Sequence, residues 1–441
     1  MRPKVWPALF LFFILAGGLG AAFGQASVKV HQLDNGLKVL LVEDHDIPNV
    51  ALYTYFRVGS RNERPGLTGV SHFIEHMMFN GTAKFGPGEF DRTMEFRGGR
   101  NNAYTSEDLT AYTDWFPAAA LEHMIDMEAD RIQGLTLVPE VFESERGVIA
   151  SERRLGVENN NEAILHENVR ASAVMAHPYH WDVIGWMSDI LSWRRDEVLA
   201  YYRTYYAPNN AVLVIVGDID PVRTLGLVQK YYGPIPKATP PPPVTTVEPP
   251  QMGKKQVLIR KEAQTPSFYV VWHGPAGREP DFIPLSILEK PLLMGESSRL
   301  YRRLVRDEQL AISVSGGIQP TLDPFLFAIA VKPRPGADLE RIEKAIDEEL
   351  ARVQADGITD AEFKKALNII QSDYYRQLQT IAGQADLLGT AEVLYGGWEK
   401  AFTIVEDYRA ATRDQVREAA RKAFQDNNKT VGKLIPEGGA K

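Results

Sequence analysis

Two histidines and a glutamate stand in the order His72-Phe73-Ile74-Glu75-His76, inside an apolar-periodic stretch (Val70, Phe73, Ile74, Met77) that predicts a helix. A helix advances about 100° per residue, so His72 and His76 leave one face a single turn apart. Two imidazoles so placed can grip one divalent metal, and Glu75 projects near the same face, where a carboxylate can take a proton from a metal-bound water. The His-x-x-Glu-His order inverts the commoner His-Glu-x-x-His zinc motif. A catalytic zinc takes three protein ligands and keeps one position open, so this pair needs a third ligand from elsewhere in the chain.

A second predicted helix, 139–152, offers one, with Pro139 suited to its first turn. Glu145 and Glu152 are seven residues apart and nearly superimpose on one face, with about 20° of drift. Val141, Val148, Ile149 and Leu155 are expected to be its buried stripe. Alone, such a glutamate pair is an ordinary solvated helix face. Beside His72, Glu75 and His76 it becomes a candidate ligand set.

On these residues the chain resembles the pitrilysin/insulinase family of zinc metallopeptidases. In that family the His-x-x-Glu-His is followed about 75 residues later by a ligand glutamate, with another functional glutamate seven residues before it. Here 75 residues lie between His76 and Glu152, and Glu145 falls at the earlier position. The resemblance implies His72, His76 and Glu152 as Zn2+ ligands, Glu75 as general base and Glu145 as a supporting acid. It implies an α+β fold of two homologous domains, each a mostly antiparallel sheet layered with helices, joined by a Pro-rich linker. Family substrates lie along an edge strand near the zinc as an added β-strand. Asn101 to Thr105, with Leu109 to Trp115 as its antiparallel partner, matches that strand, and Asn102 and Ala103 are the positions carried over. Backbone pairing tolerates many side chains, which predicts broad sequence preference and a need for extended peptide.

The remaining pattern supplies the elements that position these groups. Val28 to Glu43 reads as a strand pair turning at Asp34-Asn35-Gly36, and Ala51 to Val58 as a further strand. Helices are expected at Pro117 to Ile132, Asp196 to Tyr206 and Pro221 to Tyr232, with a buried strand at Val212 to Val216. Pro234 to Pro250 then forms a stiff, extended linker. Beyond it, strands are expected at Gln256–Lys261, Ser267–His273, Ile312–Gly316 and Phe325–Val331. Helices are expected at Ile283–Leu293, Ser297–Arg306, Leu339–Val353, Asp360–Gln379 and Arg413–Phe424. An internal echo links the halves: Ala207-Pro208-Asn209-Asn210 and Gln425-Asp426-Asn427-Asn428 each follow a helix and precede a strand. The expected organisation is therefore 25–233 with the metal motif, 234–252 as linker and 253–441 as a homologous domain without that motif. His177-Pro178-Tyr179-His180 is not a second metal site, because Pro178 breaks any shared face.

Residues 1–24 have a basic head, an apolar run from Val5 to Ala16 and small residues after it, the form of a secretory signal peptide. The rival expectation is an uncleaved anchor over 5–23. Removing 1–24 takes the net charge from −8 to −10, and no basic run suggests a nucleic-acid partner. The chain has no cysteine, which excludes thiolate metal sites and thiol proteases. A periplasmic or secreted location follows, or a membrane-anchored one if the segment stays.

One departure bears on partners. Many family members reach the substrate from the second half with an Arg and a Tyr. Arg306 falls at the Arg position, but the Tyr position is Ile312, which cannot donate a hydrogen bond. Some family enzymes divide this labour between two chains. The expectation is a zinc-bearing endopeptidase subunit with a homologous partner carrying the Arg/Tyr pair, cleaving short or unfolded peptides in a clamshell chamber. A homodimer in which Tyr301 or another donor substitutes is the runner-up for assembly, and a non-catalytic scaffold of the same fold is the alternative function.

Overall fold

The computed structural model describes residues 27–437; the signal-peptide expectation lies outside them. The first half runs β1 (Val28–Gln32), β2 (Lys38–Glu43), β3 (Asn49–Phe56), α1 (Val70–Met77), α2 (Glu89–Phe96), β4 (Arg100–Thr105) and β5 (Thr110–Pro117). It continues with α3 (Leu121–Gly134), α4 (Pro139–Arg153), α5 (Asn161–Ala173), α6 (Met187–Ser192), α7 (Arg195–Tyr205), β6 (Ala211–Gly217) and α8 (Pro221–Tyr232). The second half runs β7 (Lys255–Glu262), β8 (Ser267–Gly274), α9 (Phe282–Leu293), β9 (Ala311–Ile318), β10 (Phe325–Pro333) and α10 (Leu339–Asp356). It ends with α11 (Asp360–Leu378), α12 (Ile381–Leu394), α13 (Lys400–Ala410), α14 (Arg413–Ala423) and β11 (Lys429–Glu437).

The strands form two sheets, ordered β1-β2-β6-β3-β5-β4 and β7-β11-β8-β10-β9. Apart from β1 the two orders are the same. In each sheet the last strand of the half pairs parallel on one side (β2 with β6, β7 with β11) and antiparallel on the other. The remaining pairs are antiparallel, as the resemblance implied. The Asn echo has a physical basis. Asn210 Nδ2 donates to Tyr205 O and Arg57 O, and Asn428 Nδ2 donates to Ala423 O and His273 O. Each amide ties the end of a helix, five residues back, to the end of a neighbouring strand.

Both faces of each sheet are covered, and the halves exchange helices to achieve this. The first sheet packs α1, α3 and α4 on one face, while α12 of the second half lays Ile381, Ala385 and Leu388 on the other. Reciprocally, α5 of the first half places Leu165, Val169 and Ala173 against Val271 and Leu434 of the second sheet. Glycine permits these close approaches: a Cβ on Gly389 of α12 would stand 2.0 Å from the Tyr55 ring, and one on Gly432 of β11 2.2 Å from Val169. The 234–250 stretch carries no helix or strand. It is pinned to the first half, because Glu248 accepts the backbone N–H groups of Met175, Ala176 and His177.

Two expectations need correction. Val148 (47% exposed) and Leu155 (73%) are not buried; the inward face of α4 is Phe142, Ile149, Ala150 and Arg153. Val148 and Leu155 lie three residues from Glu145 and Glu152 and share their open face. The helix expected over Ser297–Arg306 is present, its main part wound as a π-helix at Tyr301–Asp307. Helices α5, α6, α12 and α13 have no counterpart in the sequence reading.

Candidate metal centre

The apolar positions of α1 do what their spacing predicts. Val70, Phe73, Ile74 and Met77 are fully packed, which turns His72 and His76 out of the core on the opposite side. The helix start is held from outside the helix. Gly69, at φ 83°, offers no side-chain cap; the buried Glu63 accepts the N–H groups of Gly69 and Ser71, both at 2.8 Å. Burial pushes the Glu63 pKa up to about 8 against the pull of these hydrogen bonds, and its two oxygens satisfy donors that a helix start leaves without partners.

The structure brings together the three residues singled out as ligands. His72, His76 and Glu152 each present one ligand atom, all within 4.8 Å of one another. Glu152 Oε2 stands 3.9 Å from His72 Nε2 and 3.8 Å from His76 Nε2. These separations are too long for hydrogen bonds. They are close to the spacing of atoms that share a tetrahedral ion with bonds of about 2.0–2.2 Å. The donor set, two imidazoles and one carboxylate, therefore fits zinc. Burial, aided by His76, pushes the His72 imidazole down to about 3, so its ring is neutral and its lone pair free.

Glu145 sits behind the pair. Its Oε1 accepts from His76 Nδ1 at 2.7 Å and its Oε2 accepts from Asn80 Nδ2 at 3.0 Å, which leaves His76 Nε2 facing the cluster. Burial lowers the His76 pKa, but the Glu145 hydrogen bond and the surrounding carboxylates outweigh it and the net shift is upward. Glu75 is 8% exposed, and burial raises its pKa against the opposing Thr105 hydrogen bond.

Asn102 and Ala103 lie on β4, the edge of the first sheet. The β4–β5 turn closes with Ser106 N donating to Leu109 O at 2.8 Å. Antiparallel pairs alternate between bonded and unbonded, so Asn102 and Tyr104 turn their backbone groups toward β5 while Ala103 and Thr105 present theirs to the open edge. Ala103 also packs on the core. Arg306 is not drawn into the cluster: it is exposed and paired with its neighbour Asp307. Ile312 is half exposed on β9, and Tyr301 packs on the second core. His177 and His180 bond Asp323 and the Val174 carbonyl, respectively, and join no metal cluster among the described residues.

Sequence reasoning missed Asn80, Thr105 and Glu63. Asn80 lies four residues after His76, and Thr105 alternates with Ala103, so both carried a spacing signal. Glu63 carried none.

Comparison with known proteins bears on the family and the fold. Residues 38–185 match the profile of the insulinase family (peptidase family M16), and residues 192–370 match that of the peptidase M16 inactive domain. The zinc protease PqqE of Helicobacter pylori is 30% identical over 389 residues, covering 86% of this chain and 87% of that protein. An uncharacterized zinc protease, YmxG, of Bacillus subtilis is 24% identical over 401 residues, covering 91% and 96%. The crystal structure of a protease from Helicobacter pylori superposes with a TM-score of 0.89 at 27% identity, covering 93% of this chain and 99% of that one. With two family profiles in tandem, two sheets of matching order and the fold of M16-like peptidases, this chain belongs to peptidase family M16.

Proposed function

We propose that the chain is a zinc endopeptidase acting on short or unfolded peptides, with His72, His76 and Glu152 as metal ligands and Glu75 as general base. The observation that carries this reading is the convergence of Glu152, from α4, on two imidazoles of α1 with Glu75 between them in sequence. The naming of relatives as zinc proteases supports it.

When bound, zinc supplies a Lewis acid that polarises a carbonyl and acidifies water. The chain's own residues do the rest. Glu75 accepts the proton of the attacking water and passes it to the departing amine. Glu145 holds the Nδ1–H of His76, fixing the tautomer and the ring plane. The open edge at Ala103 receives the substrate as an added strand, which restricts the site to chain that can be extended.

Arg306 and Ile312 favour a two-chain form of the same reading. Neither offers a donor to the cluster, so a homologous chain carrying an Arg/Tyr pair would supply it. Export from the cytoplasm fits the apolar segment near the start, and no helix among the described residues is long and apolar enough to cross a membrane. A scaffold of this fold would have no need of all four of His72, Glu75, His76 and Glu152.

The test is metal analysis and peptide hydrolysis on wild type and Glu75→Gln, each alone and mixed with a homologous chain encoded nearby. About one zinc per chain is expected in both, with hydrolysis lost in the variant. Hydrolysis retained by Glu75→Gln removes Glu75 as base, and full activity of the isolated chain removes the two-chain form.

A further inference from the structure

Glu75 is held by a residue of the docking strand itself. The Thr105 hydroxyl donates to Glu75 Oε2 at 2.6 Å. A hydroxyl carries one proton and an ionised carboxylate only accepts, so that proton is committed to Glu75. Thr105 ends β4, paired with Thr110 across the hairpin. Thr110 is itself fixed, its hydroxyl donating to Val58 O at 2.9 Å. The turn beyond is anchored too, since Ser60 N and Arg61 N donate to Ser106 O and Glu107 O at 3.2 and 2.9 Å. By the alternation of the hairpin, the backbone of Thr105 faces the same open edge as that of Ala103.

One residue thus offers its backbone to an arriving strand and its hydroxyl to the base. We propose that Thr105 is a positioning residue that couples peptide docking on β4 to the orientation of Glu75. It holds one carboxylate oxygen and leaves the other to take the proton from water. This rests on the peptidase reading above. A peptide paired along β4 stiffens Thr105, and Thr105 in turn holds the base at the scissile bond, so an unpaired peptide meets a base that is less well aimed.

The experiment compares Thr105→Val and Thr105→Ser with wild type, measuring kcat and KM on an unfolded peptide, zinc per chain, and peptide affinity by fluorescence anisotropy. Val keeps the shape and removes the donor; Ser keeps the donor. Misplacing a catalytic group costs about 10- to 100-fold in rate. The expected result is a kcat loss of about that size in Thr105→Val, with KM, affinity and zinc content within about threefold of wild type, and kcat restored in Thr105→Ser. Equal impairment of both variants overturns the proposal, because the side chain then acts by packing. So does a loss confined to KM, a loss of zinc from Thr105→Val, or an unchanged kcat. A zinc-loaded wild type that hydrolyses nothing even when mixed with the homologous chain, or an active Glu75→Gln, instead sinks the peptidase reading, and this proposal with it.

Discussion

Truncating Glu145 to Ala probes how much of the zinc affinity resides outside the ligands. The carboxylate makes two bonds, from His76 Nδ1 at 2.7 Å and Asn80 Nδ2 at 3.0 Å. Without it, the Nδ1–H of His76 loses its acceptor and the ring loses its fixed plane. Hydrogen bonds to a charged group contribute about 1.5–3 kcal/mol. Here the Glu145 side chain is 15% exposed and that of His76 26%, so water recovers part of the loss and the lower end applies, about 1.5–2 kcal/mol. At 1.4 kcal/mol per decade that is about 10- to 30-fold weaker zinc binding, within the range found for partners of metal-bound histidines. Glu145→Gln should fall between, since its amide can still accept from His76 but turns an NH2 toward that of Asn80. Competition against a fluorescent zinc chelator at fixed pH reads the dissociation constant directly, with circular dichroism checking the fold. A Glu145→Ala protein that binds zinc within twofold of wild type would refute the reasoning. So would a loss above about a thousandfold, which would make Glu145 a ligand in its own right.

Other consequences follow from groups away from the centre. Glu63→Ala orphans two buried N–H groups at the start of α1 and should lower stability by about 2–3 kcal/mol in urea unfolding; a change below about 0.5 kcal/mol would show that water replaces the carboxylate. Glu343 is buried on α10, and although burial raises its pKa, hydrogen bonds from Lys254, Lys433 and Lys429 hold it at about 2. Its folded pKa lies below the unfolded value, so its contribution is complete above about pH 5 and drains as pH falls toward 2. The thermal midpoint should therefore decline across that acid window, and Glu343→Gln should flatten the decline. An equally steep acid decline in that variant would assign the effect to other carboxylates.

Much of the centre is local. Four-residue spacing alone puts His72 and His76 on one face, and seven-residue spacing does the same for Glu145 and Glu152, because helix geometry permits no other outcome. The duplication is local too: Asn210 and Asn428 each reach back five residues to a helix end, so the same short run recurs wherever the same joint is built.

Helices α5 and α12 were illegible for a physical reason. Each is clamped between its own half and the sheet of the other, and α12 buries residues around most of its circumference, so it shows no polar face whose period could be read. The inward side of α4 was misread for a related reason. Val148 and Ile149 are both apolar, and the choice between them depends on where α1 lies. Phe73 packs edge-on against Phe142 at 4.9 Å, which rotates Ile149 inward with Phe142 and leaves Val148 beside the glutamates.

What the chain determines by itself, then, is which side chains share a face within each helix or strand, since bond geometry over a few residues settles that. Which faces meet is decided only by packing. Glu152 comes within 4 Å of both imidazoles, and Thr105 reaches Glu75, because two segments far apart in sequence bury their apolar sides against one sheet, and no pattern within either segment encodes that encounter.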